Sequence, residues 1–176
     1  MNKNNKNKNN NNNNNFITVK SIVDENFQDY KKISMFIAFP KCDFKCFKEL
    51  GLDISGCQNY EISKMPNIKI KISEVFNRYI NNNITEAVIL GGLEPFFNFD
   101  EIYNLISYFR QKNCNDDFVI YTGYYPDEIK NYIQELKKFE NIIIKFGRFI
   151  PKSASILDKI LGVKLASENQ FAKKIS

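Results

Sequence analysis

Four short apolar runs constrain the fold of this chain more than any other feature. The first, SMFIAF, occupies residues 34–39 and ends at Pro40, and it is followed along the chain by EAVILGG, DFVIYTG and NIIIKFG. Each run has the length of a buried strand, and amphipathic segments such as FDEIYNLISYFRQK separate them. Strands that alternate with helices predict βα units, which form an α/β fold with a mainly parallel sheet. Because parallel crossovers are right-handed, we expect this sheet to curl into a partial, open TIM-like barrel.

The 176 residues are enough for one small domain with a full hydrophobic core. The first fifteen residues are almost all Asn with a few Lys, and such a tract cannot bury apolar surface. We therefore expect a disordered tail over residues 1–15 and a single α/β domain over residues 16–176. Outside the four main runs, FITVKSIV is typical of a strand, ILDKI of a short helix and VKLAS of a last strand.

Composition excludes several classes of protein. No apolar run is long enough to cross a membrane, and the chain begins without a secretory signal, so we expect a cytoplasmic protein with no membrane partner. The net charge is +5, but three of the lysines lie in the Asn-rich tail, and subtracting them leaves +2, too little to suggest a nucleic-acid partner. The chain has no histidine, which removes the commonest general base and nitrogen ligand.

Marked loops follow each of the four main strands. In parallel α/β folds the functional site lies at the carboxyl ends of the strands, so these loops are expected to meet at one edge of the sheet. The loops hold the cysteines after SMFIAF, then Gly91-Gly92-Leu93-Glu94-Pro95, then Thr122-Gly123-Tyr124, and finally Gly147-Arg148.

Three of the four cysteines, Cys42, Cys46 and Cys57, are clustered in one of these loops. In a reducing compartment such a cluster favours a metal or redox role over disulfides. Structural zinc usually needs four ligands, and Cys114 belongs to the opposite edge of the sheet, where a small buried hydrophobe is its best interpretation. Three thiolates suit an iron–sulfur cubane that keeps one iron open. A saturated metal used for structure or electron transfer is the alternative.

The spacing within this segment has two consequences. Lys41 and Lys45 flank the first two cysteines, and we expect their charge to lower the pKa of the thiols, although ordinary surface lysines would look the same. Ten residues, FKELGLDISG, separate the second cysteine from the third. They must loop out and return, and Gly51 and Gly56 can supply the turns.

Taken together, these motifs resemble the radical S-adenosylmethionine enzymes. Within them the chain is most similar to the small activating proteins of anaerobic ribonucleoside-triphosphate reductase. The resemblance covers roughly residues 33–172, and its pieces are MFIAFPKCDFKC, CQN, GGLEPF, YTGY and GRFI followed by LASENQ. The usual spacing of the superfamily is Cx3Cx2C, whereas this chain has Cx3Cx10C.

The resemblance implies a specific chemistry. Cys42, Cys46 and Cys57 would hold a [4Fe-4S] cluster, and S-adenosylmethionine would chelate the open iron through its amino and carboxylate groups. One electron, from a donor such as flavodoxin, would then release a 5′-deoxyadenosyl radical. In this family the radical takes a hydrogen atom from a glycine of the large reductase subunit, which would be the partner. The cofactors carry the hard chemistry, and no side chain is assigned as catalytic.

The same resemblance marks residues for cofactor binding. Gly91 and Gly92 let the backbone approach a ligand, and Glu94 adds an acceptor for the methionine ammonium. Asn59 could bond the ligand, and Thr122 could shape the nucleoside pocket. A turn residue explains Asn59 equally well, and a strand-end turn explains Thr122 somewhat better. Taken alone, Gly91-Gly92 would be a strand-to-helix turn, but the Glu-Pro that follows and the cysteines one strand earlier favour ligand binding. Two further alternatives stay open: a radical enzyme for another peptide or nucleoside, and a non-catalytic electron-transfer protein.

Overall fold

The computed structural model describes residues 15–176 of the chain. The tail predicted over residues 1–15 therefore lies, except for Asn15, outside the described residues. The described part contains ten strands and five α-helices. In chain order they are β1 (Phe16–Val19), β2 (Ser21–Asn26), β3 (Ser34–Phe39), α1 (Lys45–Lys48), α2 (Tyr60–Lys64), β4 (Ile68–Lys71), α3 (Ile72–Ile80), β5 (Ala87–Gly92), α4 (Phe99–Gln111), β6 (Asp117–Tyr121), α5 (Lys130–Leu136), β7 (Ile142–Phe146), β8 (Ile156–Asp158), β9 (Val163–Leu165) and β10 (Phe171–Lys174).

The main sheet has six strands in the order β10-β7-β6-β5-β3-β2. Its four central strands pair in parallel, and both edge strands pair antiparallel to their neighbours. Two small antiparallel sheets, β1 with β4 and β8 with β9, complete the described part. Counted over all three sheets, four strand pairings are antiparallel and three are parallel.

The predicted fold class, a mainly parallel sheet curled into a partial TIM-like barrel, is therefore wrong. The protein is a small α/β domain with a mixed sheet, and most of its strand pairings are antiparallel. The short link over residues 27–33 returns the chain so that β2 lies antiparallel to β3, and the Lys-rich β10 adds to β7 in the same sense. Among residues 15–176, four strands pair in parallel, half the number that a closed barrel uses.

Individual elements agree with the sequence to different degrees. The predicted strand SMFIAF is β3, with identical ends. FITVKSIV forms two strands, because the strand conformation is interrupted at Lys20 and the two halves join different sheets. The short helix predicted from ILDKI is wrong, since its first residues form β8. No helix of the described residues has the length and apolar character needed to cross a membrane.

The two faces of the main sheet are covered differently. Helices α3, α4 and α5 pack on one face, and α4 contributes Ile102, Leu105, Ile106 and Phe109, all fully buried. This matches the apolar stripe seen in the sequence of that helix. The opposite face, which we call the hairpin face, is covered by the β8–β9 hairpin through side chains such as Leu161 and Leu165. The carboxyl ends of β3, β5, β6 and β7 meet at one edge beside this hairpin.

Candidate iron–sulfur site

The first two cysteines lie where the chain leaves β3. The Sγ atom of Cys42 accepts a hydrogen bond from the backbone N–H of Phe44, at 3.2 Å. Phe44 has a φ of 54°, a left-handed conformation that turns the loop into α1 at the next residue. Cys46 lies within α1, so a single turn of chain carries both thiols to the carboxyl edge of the sheet. Both are free and partly buried.

The pKa values of these two thiols lie above the ordinary range. Burial raises the pKa of Cys42 to about 12, the N–H of Phe44 opposes this, and the carboxylates of Glu94 and Asp43 add to it. Burial raises the pKa of Cys46 as well. The expectation that flanking lysines would lower these pKa values is therefore wrong. Since metal-bound thiolates must lose their protons, binding a cluster here would release them.

The ten residues between Cys46 and Cys57 form a compact excursion, residues 47–56. Phe47 is buried at its start, and a Cβ on Gly56 would come within 3.1 Å of the Phe47 ring. Gly51 supplies a left-handed turn with a φ of 66°. A 3-10 turn over Ile54–Gly56 ends the excursion, and the backbone N–H of Cys57 donates to the carbonyl of Ile54 at 3.0 Å. The excursion thus returns the third thiol to the neighbourhood of the other two.

One cavity of about 430 Å³ lies at the carboxyl edge of the sheet, between the loops and the hairpin face. Seven of the eight residues predicted for the site line it: Cys42, Cys46, Cys57, Asn59, Gly92, Glu94 and Thr122. The eighth, Gly91, does not line it. Gly91 packs under the Phe36 ring, which a Cβ would approach to 3.1 Å. The assignment of these residues to a cluster and its ligand stays a prediction.

Glu94 is buried, and its carboxylate is already bonded. The Thr122 hydroxyl lies 2.8 and 2.9 Å from its two oxygens, and the backbone N–H groups of Gly123 and Phe96 donate to it at 2.9 and 3.2 Å. Burial raises the pKa of Glu94 to about 7, against these hydrogen bonds, which lower it. The carboxylate therefore joins the end of β5 to the end of β6. In this arrangement it shapes the cavity more than it offers a free acceptor.

Asn59 and Gly92 connect the third cysteine to β5. The Asn59 side chain donates to the carbonyl of Gly92 at 2.6 Å. Gly92 has a φ of 77°, and a Cβ there would lie 2.7 Å from the Cβ of Ala38 on β3. Glycine is needed at this position because of both the left-handed backbone and the close approach of the two strands.

An ion-pair network that sequence reasoning missed holds α1 against the ends of β6 and β7. Arg148 Nη1 and Nη2 donate to the two carboxylate oxygens of Glu128 at 2.8 and 2.7 Å, and its Nε lies 2.6 Å from Glu49. Lys45, next to Cys46, also pairs with Glu128, at 2.5 Å. Arg148 holds the pKa of Glu128 at about 2. The Gly147-Arg148 loop was marked in the sequence, but its distant partners carry no local signal.

A second missed residue is Lys145 in β7, which lines the same cavity. Its side chain is only 6% exposed. The signal was visible in IIIKF, where one lysine interrupts a run that is otherwise apolar and buried on both faces.

The three thiols that line the cavity are the kind of donors that an iron–sulfur cluster needs. Among residues 15–176, no three His, Cys, Asp or Glu side chains are arranged to hold one ion together. In a cubane each thiolate binds a different iron, so the ligands do not converge on one point. Three free thiols that line one cavity meet this requirement, whereas Cys114 lies away from it and contacts Asp116.

Comparison with known proteins decides the class. The profile of the 4Fe-4S single cluster domain family matches residues 31–170, from the link before β3 to the loop before β10. The chain belongs to this family. No curated protein matches the chain. Membership in the 4Fe-4S family supports the predicted [4Fe-4S] cofactor and an iron–sulfur, metal-binding function.

Proposed function

We propose that this 4Fe-4S protein is a radical enzyme that reductively cleaves S-adenosylmethionine. The observation that carries the proposal is the cavity itself, where three free thiols face the Gly92–Glu94 turn and Thr122. A cluster held by only three thiolates keeps one iron open for a ligand and can pass one electron to a bound sulfonium.

The protein's own residues have separable roles in this proposal. The thiolates of Cys42, Cys46 and Cys57 would each hold one iron. The Gly92 turn brings backbone close to the cavity, and Asn59 fixes that turn to the segment of the third cysteine. The Glu94–Thr122 pair holds the ends of two strands at a fixed separation. Together these contacts keep a preformed pocket beside the cluster.

For the substrate we propose a glycine of a large anaerobic ribonucleoside-triphosphate reductase, with an electron donor such as flavodoxin. The cavity is lined by Cys46 and Cys57, which flank the excursion, residues 47–56, and in that excursion Leu50 and Leu52 are exposed by 48% and 45%. A protein partner that covers this edge would supply the rest of the site. The alternative within the same chemistry is a radical enzyme that acts on another peptide or a nucleoside.

One observation favours a second function, electron transfer without S-adenosylmethionine chemistry. Both carboxylate oxygens of Glu94 are engaged by Thr122 and by the backbone N–H groups of Gly123 and Phe96. The acceptor that the resemblance assigns to the methionine ammonium is therefore occupied by the protein itself.

Anaerobic reconstitution separates the two functions. The protein is loaded with iron and sulfide, reduced with dithionite and mixed with S-adenosylmethionine, and 5′-deoxyadenosine is measured by chromatography. The radical enzyme forms 5′-deoxyadenosine, and Cys57→Ala abolishes the product together with the cluster's absorbance and electron paramagnetic resonance signal. Cys114→Ala is the matched control, because that thiol lies outside the cavity, and it keeps both. A full cluster that gives no product refutes the radical enzyme and favours electron transfer.

The substrate needs a separate experiment. The loaded, reduced protein is mixed with an anaerobic ribonucleoside-triphosphate reductase and S-adenosylmethionine, and the organic radical is followed by electron paramagnetic resonance. We expect a glycyl radical doublet on the reductase. Formation of 5′-deoxyadenosine without that doublet would move the proposal to another peptide or a nucleoside.

A further inference from the structure

Lys145 lines the cavity and lies on the hairpin face of the sheet. It stands opposite Tyr121 in the β6–β7 register, and its Nζ lies 5.8 Å from the centre of the Tyr121 ring. The residues around it in β7 are buried and apolar. A long cationic side chain is therefore enclosed within the sheet's packing, with its end in the cavity.

The ammonium group of Lys145 has few hydrogen-bond acceptors around it in the described part of the chain. Within residues 15–176, its only hydrogen-bond partner is the carbonyl of Gly147, at 3.1 Å, and no carboxylate lies within 4.0 Å. Two other cations that line the cavity have carboxylate partners: Arg148 pairs with Glu49 and Glu128, and Lys45 pairs with Glu128. Two of the three N–H donors of Lys145 thus have no partner in the described part of the chain.

A buried ammonium without an ion-pair contact is costly, and an apolar side chain at this position would stabilise the sheet more. Burial lowers the pKa of Lys145 to about 8, with Glu94 and Cys46 opposing the change, so the group is mostly protonated at neutral pH. The ammonium group of Lys145 therefore brings one positive charge and two free donors to the cavity. That complement suits a monoanionic carboxylate, whereas phosphate sites usually gather several donors from arginines, backbone nests or helix ends.

We infer that Lys145 binds a carboxylate of the substrate that enters this cavity. The inference rests on the proposed function, in which the carboxylate of S-adenosylmethionine is taken by the open iron and leaves Lys145 to a second molecule. The substrate class is therefore one that presents a carboxylate near its reacting carbon, on a peptide side chain or on a small acid.

Binding is measured on the reconstituted protein by thermal shift and titration calorimetry at constant ionic strength. The probes are succinate, the peptide acetyl-Gly-Asp-amide and its neutral match acetyl-Gly-Asn-amide. We expect the two acids to raise the melting temperature and the neutral peptide to leave it unchanged. Whichever of the two acids binds more tightly shows whether the site prefers a small free acid or a carboxylate on a peptide. Lys145→Met should weaken acid binding by at least about tenfold, the loss expected for a hydrogen bond between charged groups.

The direction in which the melting temperature changes without ligand distinguishes a ligand-binding role of Lys145 from a structural one. Without ligand, Lys145→Met should raise the melting temperature because it removes a buried, unpaired charge, whereas loss of a structural lysine would lower it. Lys173→Met, at an exposed position on the neighbouring strand β10, is the control and should change neither property. If Lys145→Met does not fold, Lys145→Gln is measured by calorimetry for the same loss.

Three outcomes overturn the inference: unchanged acid binding in the Lys145 variants, equal binding of the neutral peptide, and a Lys145-dependent shift with S-adenosylmethionine alone. The last would assign the lysine to the cofactor's own carboxylate. Cys57→Ala keeps these results distinct from the proposed function, because it should lose the cluster and still bind the acid.

Discussion

The hydroxyl of Thr122 is the most informative single group to remove. It lies between the two oxygens of Glu94, and it also accepts a hydrogen bond from the backbone N–H of Tyr124 at 3.0 Å. Thr122 is 2% exposed and Glu94 is 5% exposed, so water cannot replace the lost partner. Thr122→Val keeps the shape of the side chain and removes only the hydroxyl.

The expected cost follows from the two bonds that are lost. A hydrogen bond to a charged group contributes about 1.5–3 kcal/mol, and a buried N–H left without a partner costs about 1–3 kcal/mol. We therefore expect Thr122→Val to lower the free energy of unfolding by about 3 kcal/mol at pH 8. Thr122→Ser keeps both bonds and should cost about 1 kcal/mol for the lost methyl group.

The cost should also depend on pH. The folded pKa of Glu94, about 7, lies above its ordinary value of 4.5, so the folded state holds a proton longer and its stability falls as pH rises between these values. Removing a donor raises the folded pKa further. The loss in Thr122→Val should therefore be smaller at pH 5.5, where Glu94 is protonated, than at pH 8, where it is ionised.

Urea unfolding followed by far-ultraviolet circular dichroism measures these differences, under anaerobic conditions with reduced thiols. Thr85→Val is the matched control, because Thr85 is 9% exposed and its hydroxyl donates to one neutral carbonyl, that of Asn82, at 3.2 Å. It should cost about 1 kcal/mol at both pH values. An equal loss in Thr122→Val and Thr85→Val, or no change with pH, would refute this role of Glu94.

Three other predictions concern the same edge of the sheet. Gly92→Ala should cost more than about 2 kcal/mol, because it adds a collision with β3 to left-handed strain, whereas Gly51→Ala, with a similar φ and open space, should cost only about 1–2 kcal/mol in urea unfolding. Arg148→Met should cost about 2 kcal/mol and raise the pKa of Glu128 towards its ordinary value, which carboxylate titration by nuclear magnetic resonance would detect. The folded pKa of Lys145, about 8, lies below the ordinary 10.5, so the unfolded chain binds more protons between these values and stability rises with pH. The advantage of Lys145→Met over the parent protein should therefore shrink by about 3 kcal/mol between pH 7.5 and 10.5, and a constant difference would contradict this.

The central strands were predictable because a strand that is buried on both faces appears in the sequence as a short, continuous apolar run. SMFIAF is apolar almost throughout and became β3 without a change of boundary. The edge strands were not predictable in the same way. β10 has a single buried residue, Ala172, between the exposed Phe171 and two exposed lysines. Its direction depends on a partner, β7, that lies about thirty residues earlier. Strand direction at an edge is a tertiary property, and this is where the barrel prediction went wrong.

The candidate site shows the same division. The clustered thiols and the Gly92–Glu94 turn stand out because few other roles need such residues at strand ends. The carboxylate partners of Arg148 do not stand out. Glu128 precedes it by twenty residues and resembles any acid at a helix start, and Glu49 lies much further away along the chain. Glu94 was expected to face a ligand. Only the structure reveals that its carboxylate already accepts hydrogen bonds from Thr122 and from backbone N–H groups of two segments.

The excursion between Cys46 and Cys57 lies outside the sheet and is anchored largely by Phe47. Its length can therefore vary without moving any strand, much as a surface loop tolerates insertions at small entropic cost. Sequence patterns that fix the last two cysteines at a short separation would pass over chains built in this way. A search that allows a variable segment before the third cysteine, and asks instead for a polar residue such as Asn59 that reaches the glycine turn, would recover them.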